Sequence, residues 1–392
     1  MRKNMIVTLK DITTKITKGT TPTSIGCKFE KSGINFIKSE SLVDGKTIDK
    51  SKFAFISERT HERLKRSQIE KNDILFSMAG MFLGKTGIAT AEVVPANTNQ
   101  AVAIIRVDDT KANYEYVYYY LNQKSVIHTI NTTSAQSAQP NINLKQIGEI
   151  KINLPDRKKQ DQIVSLLSAI DLKISNNVEI NDNLEQQAAA LFSSLYNRSN
   201  TEVRYTDLIQ ILGGGTPKTG ETAYWNGNIA FFTPKDVGAP YTFITEKTIT
   251  EEGLSHCNSR LYPVNTVFVT ARGTVGKVGL SGVPMAMNQS CYALVGKETH
   301  QLLVYFYTLK AVDRLKHKAS GAVFDAITTR DFDSEQIMKL SDDDAKAFLC
   351  VAEPMFQEIL NNSIENLRLS TLRDFLLPKL MSGEIDVSSV QI

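Results

Sequence analysis

The sequence predicts an α+β protein, in which two β-rich α/β domains in tandem repeat are separated by two long antiparallel coiled-coil helices with pseudo-twofold symmetry. Three observations predict this architecture. The 392 residues exceed what one hydrophobic core usually holds. Blocks of the first half recur in the same order in the second half. Each half also ends in a long heptad pattern.

Matching blocks carry the internal repeat. The segment LKDITTKITKGTTPT (from Leu9) resembles TDLIQILGGGTPKTG (from Thr206), and this match sets Gly19 against Gly215. The later matches pair INFIKSESL with IAFFTPKDV, ILFSMAGMFLGKTGIA with TVFVTARGTVGKVGLS, NQ at 99–100 with NQ at 288–289, VYYYL with VYFYTL, and AQSAQPNI with GAVFDAI. The offset between the halves drifts from 196 to 185, as small loop deletions would produce.

Short β-type runs fill each half. Runs such as NDILFSM, AVAIIRV, TVFVTA and QSCYALVG are bounded by turn-forming residues. Long helices do not alternate with them, which favours a β-rich α+β domain over a doubly wound sheet. The Tyr-rich segment YEYVYYYLNQKSVIHTI is predicted to form one amphipathic helix against the sheet.

The helix that closes each half has a heptad seam. Residues at 4-3 spacing run from Ile163 to Leu195 in the first half and from Phe348 to Leu380 in the second. Equivalent seam positions hold the asparagines Asn177, Asn181, Asn362 and Asn366. Buried amides at such positions lower stability but fix helix register. The alternative is that these asparagines face solvent. Pro354 should kink the second helix or delay its start.

Chain connectivity fixes the direction of the helix pair. The first helix spans about 50 Å at 1.5 Å per residue, and the linker NRSNTEV after it covers at most roughly 25 Å. The second helix must therefore run back if the two are to pair. The predicted divisions are a first domain over 1–155, a helix over 156–198, a second domain over 199–340 and a helix over 341–386.

Composition excludes several classes of protein. Apolar residues make up 42% and charged residues 22% of the chain, which is typical of a soluble globular protein. No apolar run approaches the roughly 18 residues of a spanning helix, and Lys10 and Asp11 interrupt any signal segment, so we expect a cytoplasmic location. Four distant cysteines and five scattered histidines predict neither a disulfide framework nor a metal site.

Charge is distributed unevenly along the chain. The net charge of +3 comprises +7 over residues 1–150, 0 over 151–200, +1 over 201–341 and −5 over 342–392. The first stretch holds 21 basic and 14 acidic side chains, and the third holds 14 and 13. A basic first third is compatible with a polyanionic partner.

Two strings approach catalytic motifs, and their surroundings argue against both. Residues 79–86 approach a phosphate-binding loop, but the equivalent Gly276-Lys277-Val278 lacks the magnesium-binding hydroxyl, and a β-type run follows both. The turn is therefore interpreted as either phosphate-contacting or purely structural. A nuclease-like string places Asp171 and Lys173 on the heptad helix, where they would not project from strands. We expect no catalytic residue in this chain.

Over essentially its whole length the chain resembles the specificity (S) subunit of type I restriction-modification enzymes. The resemblance rests on the duplicated GTTPT/GGGTPKT and ARGTVGKVG-type blocks, the AQPNI…IKINLP run, and the ending LRDFLLPKLMSGEIDV (from Leu372). It implies two target recognition domains that each read half of a split DNA sequence. It also implies that the helices act as a spacer and dock two modification (methyltransferase) subunits.

Cofactors are expected on the partners that this resemblance implies. S-adenosylmethionine would bind the modification subunits, and ATP with magnesium would bind restriction subunits where these are present. The chain itself would carry no cofactor and would supply the recognition of double-stranded DNA.

The candidate DNA-contacting residues are polar loop positions matched between the halves. In the first domain they are Thr20, Thr21, Lys38, Lys85, Asn99, Gln100, Gln136 and Gln139. In the second they are Thr216, Lys218, Lys235, Arg272, Lys277, Asn288, Gln289 and Asp325. Residues shared by domains that read different half-sites also suit scaffold or phosphate contacts, so base-reading residues should differ between the halves. Arg272, aligned with Gly80, is the sharper candidate for base readout.

Two other functions stay open at this point. A coiled-coil scaffold could assemble partners without contacting DNA, although it leaves the basic first domain unexplained. A P-loop nucleotide-binding protein would bind phosphate through residues 79–86.

Removing one heptad from each helix at equivalent seam positions tests the spacer role. The deletion shortens each helix by about 10 Å, which is about 3 base pairs of B-DNA. The gap of unspecified bases should contract while both half-sites stay unchanged, and the accompanying rotation on the order of 100° should weaken binding. Methylation mapping with the modification subunits measures the gap. An unchanged gap in an active complex would mean that the helices serve for docking alone.

Overall fold

The computed structural model describes residues 5–43, 45–134, 141–238, 240–318 and 326–387 of a mixed α/β chain. Two compact units divide it, one made of Met1–Leu172 with Leu369–Ile392 and the other of Lys173–Arg368. The division between the units falls inside both long helices. The domain limits at 155, 198 and 340 therefore stay a prediction. No helix within the described ranges is long and apolar enough to cross a membrane.

In the described part of the first half, strands and short helices are followed by one long helix. Its strands are β1 (Met5–Thr8), β2 (Thr13–Lys18), β3 (Ile34–Ile37), β4 (Ala54–Ile56), β5 (Gln68–Ile69), β6 (Ile74–Ser77), β7 (Thr86–Ile88), β8 (Ala96–Thr98), β9 (Val102–Val107) and β10 (Lys151–Leu154). Its helices are α1 (Glu58–Arg63), α2 (Tyr114–Leu121), α3 (Lys124–Ser134), α4 (Leu144–Gly148) and the long α5 (Arg157–Arg198).

The second half follows the same plan. Its strands are β11 (Thr201–Arg204), β12 (Ile209–Gly213), β13 (Trp225–Phe232), β14 (Tyr241–Thr242), β15 (Lys247–Ile249), β16 (Val267–Thr270), β17 (Val278–Ser281), β18 (Met285–Met287), β19 (Cys291–Gly296) and β20 (Gln336–Lys339). Its helices are α6 (Tyr205–Leu208), α7 (Glu251–Ser255), α8 (Gln301–Lys318), α9 (Thr329–Asp333) and the long α10 (Asp342–Ser382).

Strand order repeats between the halves. The main sheet has the order β2-β9-β6-β7 in the first half and β12-β19-β16-β17-β14 in the second. A second sheet has the order β4-β3-β8-β5 and β15-β13-β18, with β3 parallel to β8 and β13 parallel to β18. The pairs β1-β10 and β11-β20 complete the two sets. Apart from β14 and β5, each of which joins a sheet in one half without a counterpart in the other, the sequence repeat is therefore also a repeat of strand topology.

Both faces of the inner strands of each main sheet are buried. Ile74 and Phe76 of β6 join a core that includes α2 and the start of α5, whereas Leu75 between them joins a core shared with the second sheet. In the second half Val267 packs with α8, and its neighbour Phe268 packs with residues of the second sheet. Burial on both faces explains why these strands read as continuous apolar runs rather than alternating ones.

The Tyr-rich segment forms two helices, so the prediction of a single helix is wrong. Helix α2 ends at Leu121 and α3 begins at Lys124. Between them the Asn122 amide donates to the Tyr118 carbonyl and to Thr86 Oγ1, both at 2.7 Å. This tertiary contact with β7 fixes Asn122 at the end of α2. Periodicity alone does not reveal such a contact.

Equivalent caps start the two long helices. The Asp156 carboxylate accepts from the backbone N of Lys159 (3.0 Å), and the Ser341 hydroxyl accepts from the backbone N of Asp344 (3.1 Å). These caps satisfy amides that have no partner inside the first turn of a helix.

Pro354 lies inside α10 and does not delay its start, so of the two effects expected from sequence the kink alone stays a prediction. The helix runs continuously from Asp342 through this residue. Phe348 and Phe356 on either side are buried in the core of the second half. Their packing offsets the hydrogen bond that proline cannot donate.

Three of the four seam asparagines are buried. Asn177 is fully buried, and Asn181 and Asn362 are 8% and 6% exposed, so a solvent-facing position is wrong for these three. Within the second unit the Asn362 amide donates to Asn181 Oδ1 (3.0 Å), and the Asn177 amide donates to Asn366 Oδ1 (2.9 Å). The residue nearer the start of α5, Asn177, bonds to the residue further along α10, Asn366, so the two helices are antiparallel there. A role of these amides in fixing register stays a prediction.

Leucine substitution at the Asn181–Asn362 pair tests this role. Asn362→Leu leaves Oδ1 of Asn181 without its donor and should lower the free energy of unfolding by about 1–3 kcal/mol. The double variant Asn181→Leu/Asn362→Leu removes both polar groups and should recover most of that loss. Thermal unfolding of the three proteins measures both effects. A single variant as stable as the parent would show that the pair contributes nothing.

Candidate nucleic-acid interface

Two short segments lie side by side in each half. We call them the Gly-Thr loop (residues 19–21 and 214–216) and the Asn-Gln turn (residues 99–100 and 288–289). The Gly-Thr loop follows β2 or β12, and the Asn-Gln turn precedes β9 or β19. Because β2 pairs with β9 and β12 with β19, the main sheet brings the two segments together.

Hydrogen bonds join the Gly-Thr loop to the Asn-Gln turn. In the first half the backbone N of Gly19 donates to the Asn99 carbonyl (3.0 Å), and the Thr21 hydroxyl donates to Gln100 Oε1 (2.6 Å). In the second half the Thr216 hydroxyl donates to Gln289 Oε1. The structure thus brings together the predicted residues Thr20, Thr21, Asn99 and Gln100, and likewise Thr216, Asn288 and Gln289.

The asparagine and the glutamine of the turn have different environments. Oδ1 of Asn99 accepts from the backbone N of Ala101, and Oδ1 of Asn288 accepts from that of Ser290, both at 3.0 Å. An asparagine bonded to the backbone two residues on shapes its own turn. Gln100 and Gln289 are exposed, and the adjacent threonine positions each side chain. The glutamines are therefore the outward-facing members.

The Gly-Thr loop aligns differently from the sequence match. The backbone N of Thr20 donates to the Thr98 carbonyl, and that of Gly215 donates to the equivalent Met287 carbonyl. Gly19 therefore corresponds to Gly214, and its pairing with Gly215 is wrong. The ladder of β2 shifts register between residues 13 and 15, and this β-bulge accounts for the extra residue.

The Gly-Lys turn (residues 80–85 and 273–277) follows the same plan in both halves. The backbone N of Ser77 donates to the Lys85 carbonyl (2.8 Å), and that of Thr270 donates to the Lys277 carbonyl (2.9 Å). Strand β7 or β17 follows, not a helix. A phosphate-binding loop of the P-loop type needs a helix N-terminus at this point, so the turn does not have that architecture.

Arg272 corresponds to Ala79, so its alignment with Gly80 is wrong. Ala79 forms an isolated β-bridge with the segment before α4, and Arg272 forms one with the segment before α9. Gly80 and Gly273, which follow them, have φ of 70° and 80°. The Gly-Lys turns of the two halves differ in length, and the difference lies after these glycines, at a point that no sequence pattern marks. Arg272 remains exposed, and its counterpart is a small apolar residue.

The remaining candidate lysines lie outside this contact. Lys38 forms an ion pair with Glu40 (3.7 Å), and Lys235 forms one with Glu246 (3.2 Å). Lys218 is exposed. The predicted residues Gln136, Gln139 and Asp325 lie outside the described residues.

Sequence reasoning missed Arg66. Its guanidinium donates to Thr20 Oγ1 (3.0 Å), so it adds a positive charge to the Gly-Thr loop of the first half. A search for positions matched between the halves does not select it. The basic run at residues 63–66 is the signal that could have found it.

The environments of the metal-ligand residue types, of one cysteine and of the nuclease-like string are as follows. No group of three or more His, Cys, Asp or Glu side chains among them could hold a metal ion. Burial raises the pKa of the Cys291 thiol to about 12, so this thiol stays protonated at neutral pH. Asp171 of the nuclease-like string accepts hydrogen bonds from Tyr119 (2.5 Å) and Arg373 (3.0 Å), and it lies on α5.

Sequence comparisons relate the chain to proteins of known role. A family model described as "Type I restriction modification DNA specificity domain" matches residues 1–186 and 197–339. The type I restriction enzyme HindI specificity subunit of Haemophilus influenzae is 22% identical over 404 residues, which cover 82% of this chain and 88% of that protein. The MjaIX specificity subunit of Methanocaldococcus jannaschii is 32% identical over 124 residues, or 30% and 29% of the two chains.

A solved structure shares the fold. It is the S subunit of a type I restriction-modification system from M. genitalium, with a TM-score of 0.58 and 15% sequence identity. The match covers 96% of this chain and 95% of that chain.

Gly214 and its neighbour Gly213 provide a matched test of the loop contact. A Cβ at Gly214 would lie 2.3 Å from the Asn288 carbonyl oxygen, whereas a Cβ at Gly213 would meet no described atom within 4 Å. Gly214→Ala should push the Gly-Thr loop away from the Asn-Gln turn, and Gly213→Ala should not. Hydrogen exchange of the Gly215 amide should speed up about tenfold or more in the first variant. Equal exchange rates in both variants would contradict the close approach.

Proposed function

This chain belongs to the type I restriction-modification DNA specificity family, and from that premise we propose that its two halves each read one part of a bipartite DNA target. We further propose that α5 and α10 recruit methyltransferase subunits. The chain supplies recognition, and its partners supply the chemistry. S-adenosylmethionine binds the methyltransferase subunits, and ATP with magnesium binds restriction subunits where the complex includes them.

The duplicated contact between Gly-Thr loop and Asn-Gln turn carries this proposal. The same backbone geometry presents an exposed glutamine in each half, Gln100 or Gln289. Glutamine can pair in bidentate fashion with adenine in the major groove. Each half thus holds one exposed glutamine in the same way, and two such glutamines on two sheets suit a target that is read in two parts.

Phosphate contacts and base contacts fall to different residues in this scheme. Lys85 and Lys277 occupy the same place in the Gly-Lys turn of each half, which suits contacts to phosphates that every sequence shares. Arg272 is exposed and has Ala79 as its counterpart, which suits base readout in the second half. An arginine contacts guanine through its O6 and N7 atoms.

The long helices suit the docking of partner subunits. Leu372 and Phe375 on the last part of α10 are 45% and 58% exposed. Leu172 on α5 is 61% exposed. Exposed large apolar residues on a helix are typical of surfaces that a partner covers.

A coiled-coil scaffold without DNA contact is the competing function. It would use the same exposed helix residues, but it requires no exposed glutamine in either half. It also leaves the net charge of +7 over residues 1–150 without a role. The bipartite reader accounts for both features.

Separate alanine substitutions at the two glutamines test the proposal. Gln100→Ala should relax one half-site and Gln289→Ala the other, each by on the order of 10- to 100-fold in discrimination against the wrong base. Each variant is the matched control of the other. Methylation of a randomised DNA library by the complex with methyltransferase subunits measures both half-sites.

Two outcomes would count against bipartite reading. One is that either variant relaxes both half-sites equally. The other is that the parent complex methylates DNA without selecting a split sequence. The chain without methyltransferase subunits serves as the baseline, and we expect no methyl transfer from it.

A further inference from the structure

A groove lined by lysines runs beside the Asn-Gln turn of the first half. It consists of two adjoining clefts of about 340 and 500 Å³ that share Leu144 and Lys145. One cleft contains Lys10 and Lys15, and the other contains Lys18 together with Gln100. We call this the lysine groove, defined by Lys10, Lys15, Lys18 and Lys145.

The lysine groove has little negative charge to balance it. Lys10, Lys15 and Lys18 form no ion pair within 4 Å among the described residues. Asp11 lies near Lys10, and hydrogen bonds from Thr8 together with the charges of Lys10 and Lys111 lower the pKa of its carboxyl. Lys145 lies 4.0 Å from Glu149, and both side chains are largely exposed, so solvent screens this pair strongly. Among the described residues that line the two clefts, Glu149 is the acidic one, and it lines the cleft of Lys10 and Lys15. Such a concentration of one charge in a concave surface attracts a polyanion.

Strand register identifies the equivalent positions in the second half. Lys15 of β2 pairs with Arg106 of β9, and Gln210 of β12 pairs with Val295 at the equivalent position of β19. Lys15 therefore corresponds to Gln210. By the same ladders Lys18 corresponds to Gly213.

Two local contacts give the remaining equivalences. The backbone N of Leu9 donates to the Ile150 carbonyl as that of Tyr205 donates to Glu335, so Lys10 corresponds to Thr206. Matching capping boxes at the start of α4 and α9 set Lys145 against Arg330. The second half therefore has one cation where the first has four.

We propose that the lysine groove binds the phosphate backbone next to the bases read by the first half, so that the two halves contribute unequally to affinity. The first half carries most of the salt-dependent affinity, and the second half makes fewer phosphate contacts and relies more on its base contacts. This inference rests on the proposed function. It adds which residues bind the backbone and how the work is divided.

Two features favour phosphates of a nucleic acid as the ligand. The groove is continuous with the exposed Gln100, so a duplex seated on this glutamine would pass its backbone along Lys18 and Lys15. Lysine ammonium groups act as point charges without the planar geometry that base readout needs. The groove thus supplies attraction and positioning rather than sequence discrimination.

The salt dependence of DNA binding measures the number of phosphate contacts. Each contact contributes about 0.9 to the slope of log K against log salt concentration. The variant Lys15→Gln/Lys18→Gln should therefore flatten the slope by about 1.8. Between about 50 and 200 mM salt, the parent should lose about tenfold more affinity than this variant.

Matched variants make the test specific to the groove. Lys52→Gln/Lys71→Gln removes the same charge from exposed lysines outside the groove and should leave the slope unchanged. Arg330→Gln in the second half should flatten it by about 0.9 at most. Lys18→Gln/Lys145→Gln, at two exposed sites, serves if Lys15→Gln impairs folding.

The experiment uses the complex with methyltransferase subunits and a labelled duplex that contains its methylation sequence. A slope unchanged in both groove variants, or a larger change from Arg330→Gln, would overturn the inference while leaving sequence-specific binding intact. Failure of the parent complex to select a sequence would instead overturn the proposed function. The methylated sequence should stay the same in the groove variants, and an altered half-site would contradict phosphate contact.

Discussion

Burial of the main sheet on both faces is the constraint on which the rest of each half depends. Leu75 can be covered only if the second sheet packs on one face, and Phe76 only if α2 and α5 pack on the other. Once the sheet is enclosed, polar groups on its inner strands β6 and β9 can reach solvent only at the strand ends. The Gly-Thr loop, the Asn-Gln turn and the Gly-Lys turn all emerge at such ends. The same burial that stabilises the half therefore determines where it can contact a ligand.

Residues that the two halves share and residues in which they differ have different roles. Asn99 and Asn288 bond to their own turns, and Gly19 and Gly214 permit a close backbone approach, so these residues build the platform. Residues that differ between the halves lie at equivalent positions of the same backbone but differ in charge or polarity. Arg272 in place of Ala79 is one case, and lysines in place of Gln210 and Gly213 are another. Two domains can thus share a scaffold and still differ in what they bind.

The helix seam shows a comparable compromise between stability and specificity. Apolar residues such as Leu167 and Ile359 fill the buried positions, whereas Asn181 and Asn362 place amides among them. An amide pair in an apolar seam stabilises less than two leucines would, but it penalises any other register because its groups would then lose their partners. If the predicted register role holds, the amide pair exchanges some stability for a defined alignment of α5 and α10.

The amino-acid sequence by itself determined the repeat, the two long helices with their buried asparagines, and the residues of the platform, because these depend on local patterns of polarity and spacing. Only the tertiary structure decided the register between the halves, since the bulge in β2 and the shorter Gly-Lys turn leave no local signal. It also decided the break after Leu121, which depends on a contact with Thr86. Arg66 and the lysine groove emerge in the same way, because residues distant in the chain become neighbours only when strands pair.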